Sequence, residues 1–262
     1  GIGFTGSQLG GEAIMEHVNS RQYPIPVFAE MGSVNPVFIL DTRNLSLTDL
    51  AKRITRSVCN DRGQFCTKPG VIFIPNSDEG KDLCALLKKN ISSYESGVML
   101  HPNMREQFEL KTSAIEKNNS ELIRGEKKEN HHVSNCALII HENDYKGQSL
   151  LTTEVFGPFV SLVLYNDYNG LENHLNDLKG QLTCSFFSGE NTNHLPNDPL
   201  IQLALKKVGR VVFNDVPTGV TVCKAMQHGG PYPASSDSRF TAVGTDSMYR
   251  FIRDVTIQQN VN

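Results

Sequence analysis

Short runs of β-branched and aromatic residues alternate with helical patterns along the whole chain, and this alternation restricts the chain to layered α/β folds. The runs that predict strands are 2–5, 26–29, 71–75, 136–141, 159–165, 183–188 and 210–214. Between them, amphipathic patterns predict helices at 12–20, 47–58, 78–89, 103–117 and 200–207. Strands that are separated by helices are joined by crossovers, so we expect a largely parallel sheet.

Two further stretches show neither the strand pattern nor the helical pattern of apolar residues. The segment 118–132 is charged and nearly devoid of apolar residues, which predicts an exposed connection. The segment 222–239 is rich in Gly, Pro, Ser, Tyr and His. It is either a passage that joins domains or a wall of a binding site, because irregular segments of this kind often carry function.

Composition narrows the classes of partner. Of the 262 residues, 39% are hydrophobic and 20% are charged, which is typical of a folded core and excludes a disordered chain. The net charge of −3 gives no basic surplus for nucleic acid or for an anionic membrane. No apolar run approaches the roughly 20 residues that span a bilayer, so we expect no membrane segment.

The six cysteines are scattered, without any C-x-x-C pair. This spacing predicts neither a disulfide framework nor a structural zinc site, and we expect no bound metal. Since no secretion signal is visible, we expect reduced thiols in a cytoplasmic protein.

One candidate nucleophile stands out. Cys66 lies in the turn Gly-Gln-Phe-Cys-Thr-Lys-Pro-Gly, directly before the predicted strand 71–75. Backbone N–H groups in such a turn can stabilise a thiolate, whereas most single cysteines are buried small hydrophobes. A second candidate, Glu30, ends the predicted strand in Phe-Ala-Glu-Met-Gly-Ser-Val-Asn-Pro, where a carboxylate is either a general base or simply solvated.

Other signals suit a ligand. A helix that starts at Gly6 and Ser7, with Gly11 one turn later, either binds a phosphate at its N-terminus or is merely capped by Ser7. Glu154 and Phe156 lie in the turn Thr-Glu-Val-Phe-Gly-Pro-Phe. The acid can accept hydrogen bonds from a ribose, and the ring can flank a heterocycle. The alternative is that the turn only packs a hydrophobic side chain into the core.

Taken in this order, the motifs FTGS, FAEMGSVNP, GQFCTKPG and TEVFGPF resemble the signature of the aldehyde dehydrogenase superfamily. The closing segment 226–244, MQHGGPYPASSDSRFTAVG, resembles the branch that contains 2,5-dioxovalerate (α-ketoglutarate semialdehyde) and NADP-linked fatty aldehyde dehydrogenases. The resemblance covers the whole chain. It implies a three-layer αβα catalytic domain with a remnant of the cofactor-binding domain.

The resemblance also implies residue roles. Cys66 matches the nucleophile that attacks the aldehyde and passes through a thiohemiacetal to a thioester, and its backbone N–H matches one oxyanion donor. Glu30 matches the base that activates water to hydrolyse the thioester. On the cofactor side, Gly6, Ser7 and Gly11 match the pyrophosphate site, and Glu154 with Phe156 match the contacts to the nicotinamide and its ribose. We therefore expect NADP or NAD as cofactor and a small aldehyde, such as 2,5-dioxovalerate, as substrate.

The same resemblance divides the chain into a remnant of the NAD(P)-binding domain (1–31), a catalytic domain (32–225) and a crossing segment with an oligomerisation tail (226–262). Complete family members carry a long N-terminal part that has no match here. We therefore expect the chain alone to be a nearly silent C-terminal catalytic-domain fragment. The tail 253–258 is prone to form a strand, and in the family such a tail pairs with a neighbouring subunit, so we expect a homo-oligomer such as a dimer or tetramer.

Two other functions stay open. Cys66 paired with a histidine such as His228 would make a cofactor-independent cysteine hydrolase. Alternatively, the chain is a folded oligomerisation module without enzymatic activity.

Overall fold

The computed structural model describes residues 1–118, 121–145, 148–189 and 197–260. Parts of two predicted segments, residues 119–120 and 261–262, lie outside them. The strands of the described residues are β1 (Ile2–Thr5), β2 (Val27–Glu30), β3 (Val37–Ile39), β4 (Val71–Pro75), β5 (Leu122–Arg124), β6 (Cys136–His141), β7 (Phe159–Tyr165), β8 (Gln181–Phe187) and β9 (Val208–Phe213). The helices are α1 (Gln8–Asn19), α2 (Leu47–Cys59), α3 (Asp78–Ser93), α4 (Pro102–Asn118), α5 (Glu142–Tyr145), α6 (Leu171–Asp177) and α7 (Pro199–Lys207).

The strands form two sheets. β1 and β2 pair in parallel, with Thr5 opposite Glu30. The larger sheet has the order β5-β6-β7-β4-β3-β8-β9. Its neighbours are parallel except for β5 and β6, which are antiparallel. The expected largely parallel α/β architecture is confirmed.

Apolar side chains cover both faces of the larger sheet. Along β4, Phe73 packs into one core cluster together with residues of α4, α6 and α7. The next residue along β4, Ile74, packs into a second cluster with residues of α2 and α3. Because successive strand residues point to opposite faces, helices must cover both sides of the sheet. The molecule therefore has the three αβα layers that were expected.

Local sequence explains where the helices begin. The Ser46 hydroxyl accepts a hydrogen bond from the backbone N–H of Asp49, so α2 starts at residue 47, as the predicted range 47–58 does. Ser7 and Ser77 cap α1 and α3 in the same way. α1 begins at Gln8, directly after Ser7, where the Gly6–Ser7 motif predicts the helix start, whereas the pattern 12–20 indicates a later start.

Three short elements depart from the sequence prediction. β3 has three residues and α6 has seven, which is too short for a period to be visible. The expectation that 118–132 is only an exposed connection is wrong, because β5 lies within it. β5 pairs with β6 at the edge of the sheet, where backbone hydrogen bonds rather than burial hold a half-buried strand.

The segment 222–239 contains neither a helix nor a strand, as its composition predicts. It passes back over β2, because Met31 N–H donates to the carbonyl of Ala234 (2.8 Å) and Ser236 N–H donates to the carbonyl of Ala29 (2.9 Å). Within the described ranges, no helix has the length and apolar character needed to cross a bilayer.

Candidate active site

The turn that carries Cys66 is fixed by one buried amide. Nδ2 of Asn35 donates to the carbonyl oxygens of Cys66 (2.8 Å) and Lys68 (3.0 Å). The hydroxyls of Ser33 and Thr183 in turn donate to Oδ1 of Asn35 at 2.8 and 3.0 Å. A buried polar network whose members are satisfied holds a single geometry, so the Cys66 backbone is held in place before any ligand binds.

Cys66, His228 and Glu30 form a continuous chain of contacts. Sγ of Cys66 lies 3.2 Å from Nε2 of His228. On the other side of the ring, Nδ1 of His228 lies 3.6 Å from Oε2 of Glu30. A nucleophile, an imidazole and an orienting carboxylate in this order are the parts of an activated nucleophile.

The charged groups of this site, His228, Glu30 and Arg250, stabilise one another. Hydrogen bonding to Cys66 and then to Glu30 raises the pKa of His228 to about 9, against the opposing effect of desolvation. Glu30 is only 4% exposed, and its Oε1 accepts a hydrogen bond from Nη2 of Arg250 at 2.5 Å. The site therefore favours an imidazolium between the sulfur and a carboxylate that an arginine neutralises.

His228 is supplied by the irregular segment 222–239, so that segment forms a wall of the site. The backbone N–H of His228 donates to the hydroxyl of Thr241 at 3.0 Å, and the carbonyl of His228 accepts from the backbone N–H of Ala242 at 2.7 Å. From sequence alone His228 was named only as a partner for a hydrolase, and Arg250 was not named at all. Neither lies near Cys66 or Glu30 along the chain, and only the fold brings them together.

Sequence reasoning also missed Lys68, two residues after the nucleophile. Lys68 is 2% exposed, its Nζ donates to the carbonyl of Phe159 (2.8 Å), and desolvation lowers its pKa to about 8. Its nearest acid is Glu154, whose pKa is raised by burial and lowered in part by Lys68. The only sequence signal for Lys68 is a basic residue in a turn that leads directly into a buried strand.

Glu154 and Phe156 lie in the turn before β7. The Glu154 carboxylate receives a hydrogen bond from the backbone N–H of Ser33, lies close against Gly32 and is attracted by the charge of Lys68. Phe156 is half-buried against the core. The carboxylate thus borders the loop that leads from Glu30 to Asn35.

The start of α1 has the properties of an anion site. Gly6 and Ser7 are exposed, the first turn has no acidic residue, and the Ser7 hydroxyl accepts from the backbone N–H of Gly10 at 3.2 Å. Gly11 is buried, and a Cβ there would lie 2.5 Å from Sδ of Met31, so it lets the helix approach β2 rather than facing solvent. The Ser7 cap is what the simple-capping interpretation predicts, and the exposed, acid-free helix start can also attract an anion.

Two further observations complete the site. A cavity of about 310 Å³ is lined by Gln227 and Thr241, which neighbour His228, and by the charged residues Lys224, Arg239 and Asp246. All six cysteines are free thiols, and burial raises the pKa of Cys59, Cys84 and Cys136 to about 12. Those buried thiols are poor nucleophiles, in contrast to the half-buried Cys66.

A known protein family matches most of the chain. Residues 1–238 match the model of the aldehyde dehydrogenase family. The chain is 36% identical to an alpha-ketoglutaric semialdehyde dehydrogenase of Acinetobacter baylyi over 98% of this chain and 49% of that protein. It is 31% identical to alpha-ketoglutaric semialdehyde dehydrogenase 2 of Azospirillum brasilense, over 98% of this chain and 50% of that protein. The chain thus spans about half the length of these relatives.

Solved structures share the fold at lower identity. A 1-pyrroline-5-carboxylate dehydrogenase from Thermus with bound NAD is 19% identical, with a TM-score of 0.76 over 95% of this chain and 49% of that one. A variant of proline utilization A from Bradyrhizobium japonicum is 21% identical, with a TM-score of 0.80 over 95% of this chain and 25% of that one. By the family match over most of its length, the chain belongs to the aldehyde dehydrogenase family.

Proposed function

We propose that the chain supplies the catalytic residues for oxidation of an aldehyde to a carboxylate. The observation that carries this proposal is the contact series from Cys66 through His228 to Glu30. The cofactor of the family, NAD(P)⁺, supplies the hydride acceptor when it is bound. Family membership and the dehydrogenase relatives support the same reaction class.

The first step activates the nucleophile. Nε2 of His228 takes the proton of the Cys66 thiol, and Glu30 with Arg250 balances the charge of the imidazolium. The thiolate then attacks the aldehyde carbon, and the backbone N–H of Cys66 donates to the developing oxyanion. Because Asn35 binds the carbonyls of Cys66 and Lys68, the backbone that follows the nucleophile stays in place during the attack.

The second step releases the acid. Once hydride has left the thiohemiacetal, the thioester on Cys66 is hydrolysed by water. His228 first releases the thiol proton to solvent. Glu30 then removes a proton from the water, directly or through the neutral imidazole of His228, which lies between Glu30 and the sulfur, and the Cys66 thiolate leaves as the carboxylic acid forms. A carboxylate that acts through an imidazole needs no direct contact with sulfur, which accounts for the position of Glu30 behind the ring.

The cofactor is held at the other end of the cleft. We assign the pyrophosphate to Gly6 and Ser7 at the start of α1, with Gly11 supporting the helix from below. We assign the nicotinamide and its ribose to Phe156 and Glu154. NADP and NAD both satisfy these contacts, because the residues that read the adenosine ribose are not among them.

A semialdehyde that carries a carboxylate is the proposed substrate class, with 2,5-dioxovalerate as its example. The names of the Acinetobacter baylyi and Azospirillum brasilense relatives support this choice. In the cavity lined by Gln227 and Thr241, Lys224 is the cation that suits a distal carboxylate, because Arg239 is paired with Asp237 and Asp246 adds a negative charge. We further propose that the domains divide at 31 and 225, that the tail joins copies into a homo-oligomer, and that the protein acts in the cytoplasm.

The test uses a chimera that joins the unmatched half of the Acinetobacter baylyi relative to this chain. We expect NAD(P)H to form from 2,5-dioxovalerate, and we expect Cys66→Ala to abolish this activity. The chain alone is the control and should form little NAD(P)H. Full turnover by the Cys66→Ala chimera would contradict the proposal.

A cysteine hydrolase is the second candidate, because the contact of Cys66 with His228 is also what such an enzyme needs. Hydrolysis of an activated ester by the chain would then be independent of NAD(P)⁺ and would be lost in His228→Ala. If the ester is hydrolysed no faster by the chain than by Cys66→Ala, the hydrolase is excluded. A purely structural module is supported only if the chain and the chimera are both inactive on aldehydes and on esters.

A further inference from the structure

The turn between β5 and β6 brings together three potential metal ligands that the mechanism does not use. Glu129, His131 and His132 each present one ligand atom, and these atoms lie within 4.8 Å of one another. We propose that these residues bind a divalent transition metal, with Zn²⁺ as the favoured ion. This site is separate from Cys66, and it goes beyond the proposed function.

The Glu129 carboxylate faces both imidazoles. Its Oε2 lies 3.2 Å from Nε2 of His131, and its Oε1 lies 4.0 Å from Nε2 of His132. The backbone closes the turn, because His132 N–H donates to the carbonyl of Glu129 at 3.0 Å. Ligands of tetrahedral Zn²⁺ at 2.0–2.1 Å from the metal are about 3.4 Å apart, so small side-chain rotations suffice.

One of the two histidines is already oriented. Nδ1 of His132 lies 3.1 Å from Oγ of Ser96, and its side chain is 14% exposed. Ser96 is itself buried, and its Oγ also accepts from the backbone N–H of Lys128 at 3.0 Å. A hydrogen bond on one ring nitrogen fixes the ring and leaves the other nitrogen for the metal, which is the usual support of a metal-binding histidine.

The backbone around His132 is anchored to a second segment. Val133 N–H donates to the carbonyl of Gly97 at 2.8 Å, and Gly97 and Val133 form a bridge. All three ligands lie within residues 129–132, so the metal would rigidify this turn. The hydrogen bonds of Ser96 and Gly97 then hold the rigid turn against residues 95–97.

Neighbouring lysines do not oppose a cation as strongly as the sequence suggests. Nζ of Lys127 pairs with Glu109 at 2.7 Å, and Nζ of Lys128 pairs with Glu95 at 3.0 Å. Both ammonium groups are thereby partly neutralised. Two imidazoles and one carboxylate form a donor set that suits Zn²⁺ and leaves a position for water.

The first experiment titrates the whole chain with zinc chloride by calorimetry after chelator treatment. The chain carries Cys66→Ser and Cys223→Ser, so that the two accessible thiols do not compete. We expect one ion per chain, and a loss of affinity of at least about a hundredfold in His131→Asn and in Glu129→Gln. Ser96→Ala should weaken binding about tenfold, because it removes only the support of His132. His101→Asn, at an exposed histidine outside the turn, is the matched control and should leave the affinity unchanged.

The second experiment measures whether bound Zn²⁺ protects the turn from proteolysis. Bound Zn²⁺ should slow cleavage by trypsin after Lys127 and Lys128 at least about tenfold, and the protection should vanish in His131→Asn. An affinity that is unchanged in the double variant His131→Asn/His132→Asn would overturn the proposal. Cleavage at these lysines that is equally fast with and without saturating zinc would also overturn it.

Discussion

Cys66 differs from the other thiols of the chain by its neighbours. Cys59, Cys84, Cys136 and Cys184 are buried among apolar residues, and burial raises the pKa of each of them. Cys66 instead faces the imidazole of His228. At the scale of single residues, reactivity is therefore a property of the pair rather than of the thiol alone.

This pairing predicts how Cys66 reacts with iodoacetamide. In His228→Asn, alkylation near pH 7 should slow by at least about tenfold, since a hydrogen bond to a charged group contributes about 1.5–3 kcal/mol. Peptide mass spectrometry separates Cys66 from Cys223, whose rate should not change. Equal alkylation rates of Cys66 in the parent chain and in His228→Asn would contradict the activation of Cys66 by His228.

The raised pKa of His228 also predicts a pH dependence of stability. Because the folded pKa of about 9 exceeds the usual value of 6.5, the imidazolium stabilises the fold fully below about pH 6.5. This contribution is lost as the pH rises through about 9. Urea unfolding should show a free-energy difference between the parent and His228→Asn that shrinks across this interval, and a constant difference would contradict the assignment.

Arg250 and Glu30 form a buried ion pair, with exposures of 9% and 4%. Arg250→Met should lower the free energy of unfolding by about 3–5 kcal/mol, because it leaves a buried carboxylate without a cation. In the double variant with Glu30→Gln, much of this loss should be recovered. Denaturant unfolding measures both, and a double variant less stable than Arg250→Met would contradict the pairing.

At the scale of elements, the continuous apolar runs were predicted with their observed bounds, as in β4, β6 and β7. Such runs carry their own signal, because both faces of those strands are buried. β3, β5 and α6 are too short to show a periodic pattern of apolar residues, so their secondary structure is determined by tertiary contacts. The same limit applies to the site. The motifs point to Cys66 and Glu30 and contain Lys68 without revealing its burial, whereas His228 and Arg250 reach the site only through the fold.

Two irregular elements of the site touch at a pair of glycines. Gly63, in the 3₁₀ turn before Cys66, has φ +61°, and a Cβ there would lie 2.4 Å from the carbonyl oxygen of Gly157. Gly63→Ala should therefore displace the turn that carries Glu154 and Phe156. It adds this clash to a backbone strain of about 1–2 kcal/mol.

The matched control is Gly219→Ala, where φ is +88° and the added methyl group meets open space. We expect Gly63→Ala to destabilise the chain by at least about 1 kcal/mol more than Gly219→Ala in thermal or urea unfolding. Equal losses would show that the two turns do not constrain each other.

At the scale of the whole molecule, the tail after Phe251 is exposed and contains the apolar residues Ile252, Val255 and Ile257. Phe251 itself packs against Phe28, with ring centroids 5.6 Å apart. If the tail joins copies by strand pairing, truncation after Phe251 should reduce the mass measured by light scattering to that of one chain while the fold persists. An assembly that survives truncation would place the interface elsewhere.

The central claim is that a thioester forms on Cys66 and is released with the help of Glu30. Mass spectrometry of the Glu30→Gln chimera after mixing with 2,5-dioxovalerate and NAD(P)⁺ tests this most directly. We predict a burst of reduced cofactor close to one equivalent and an acyl group on the peptide that contains Cys66. Turnover at the parent rate without such an adduct, or an acyl group on another cysteine, would contradict the account.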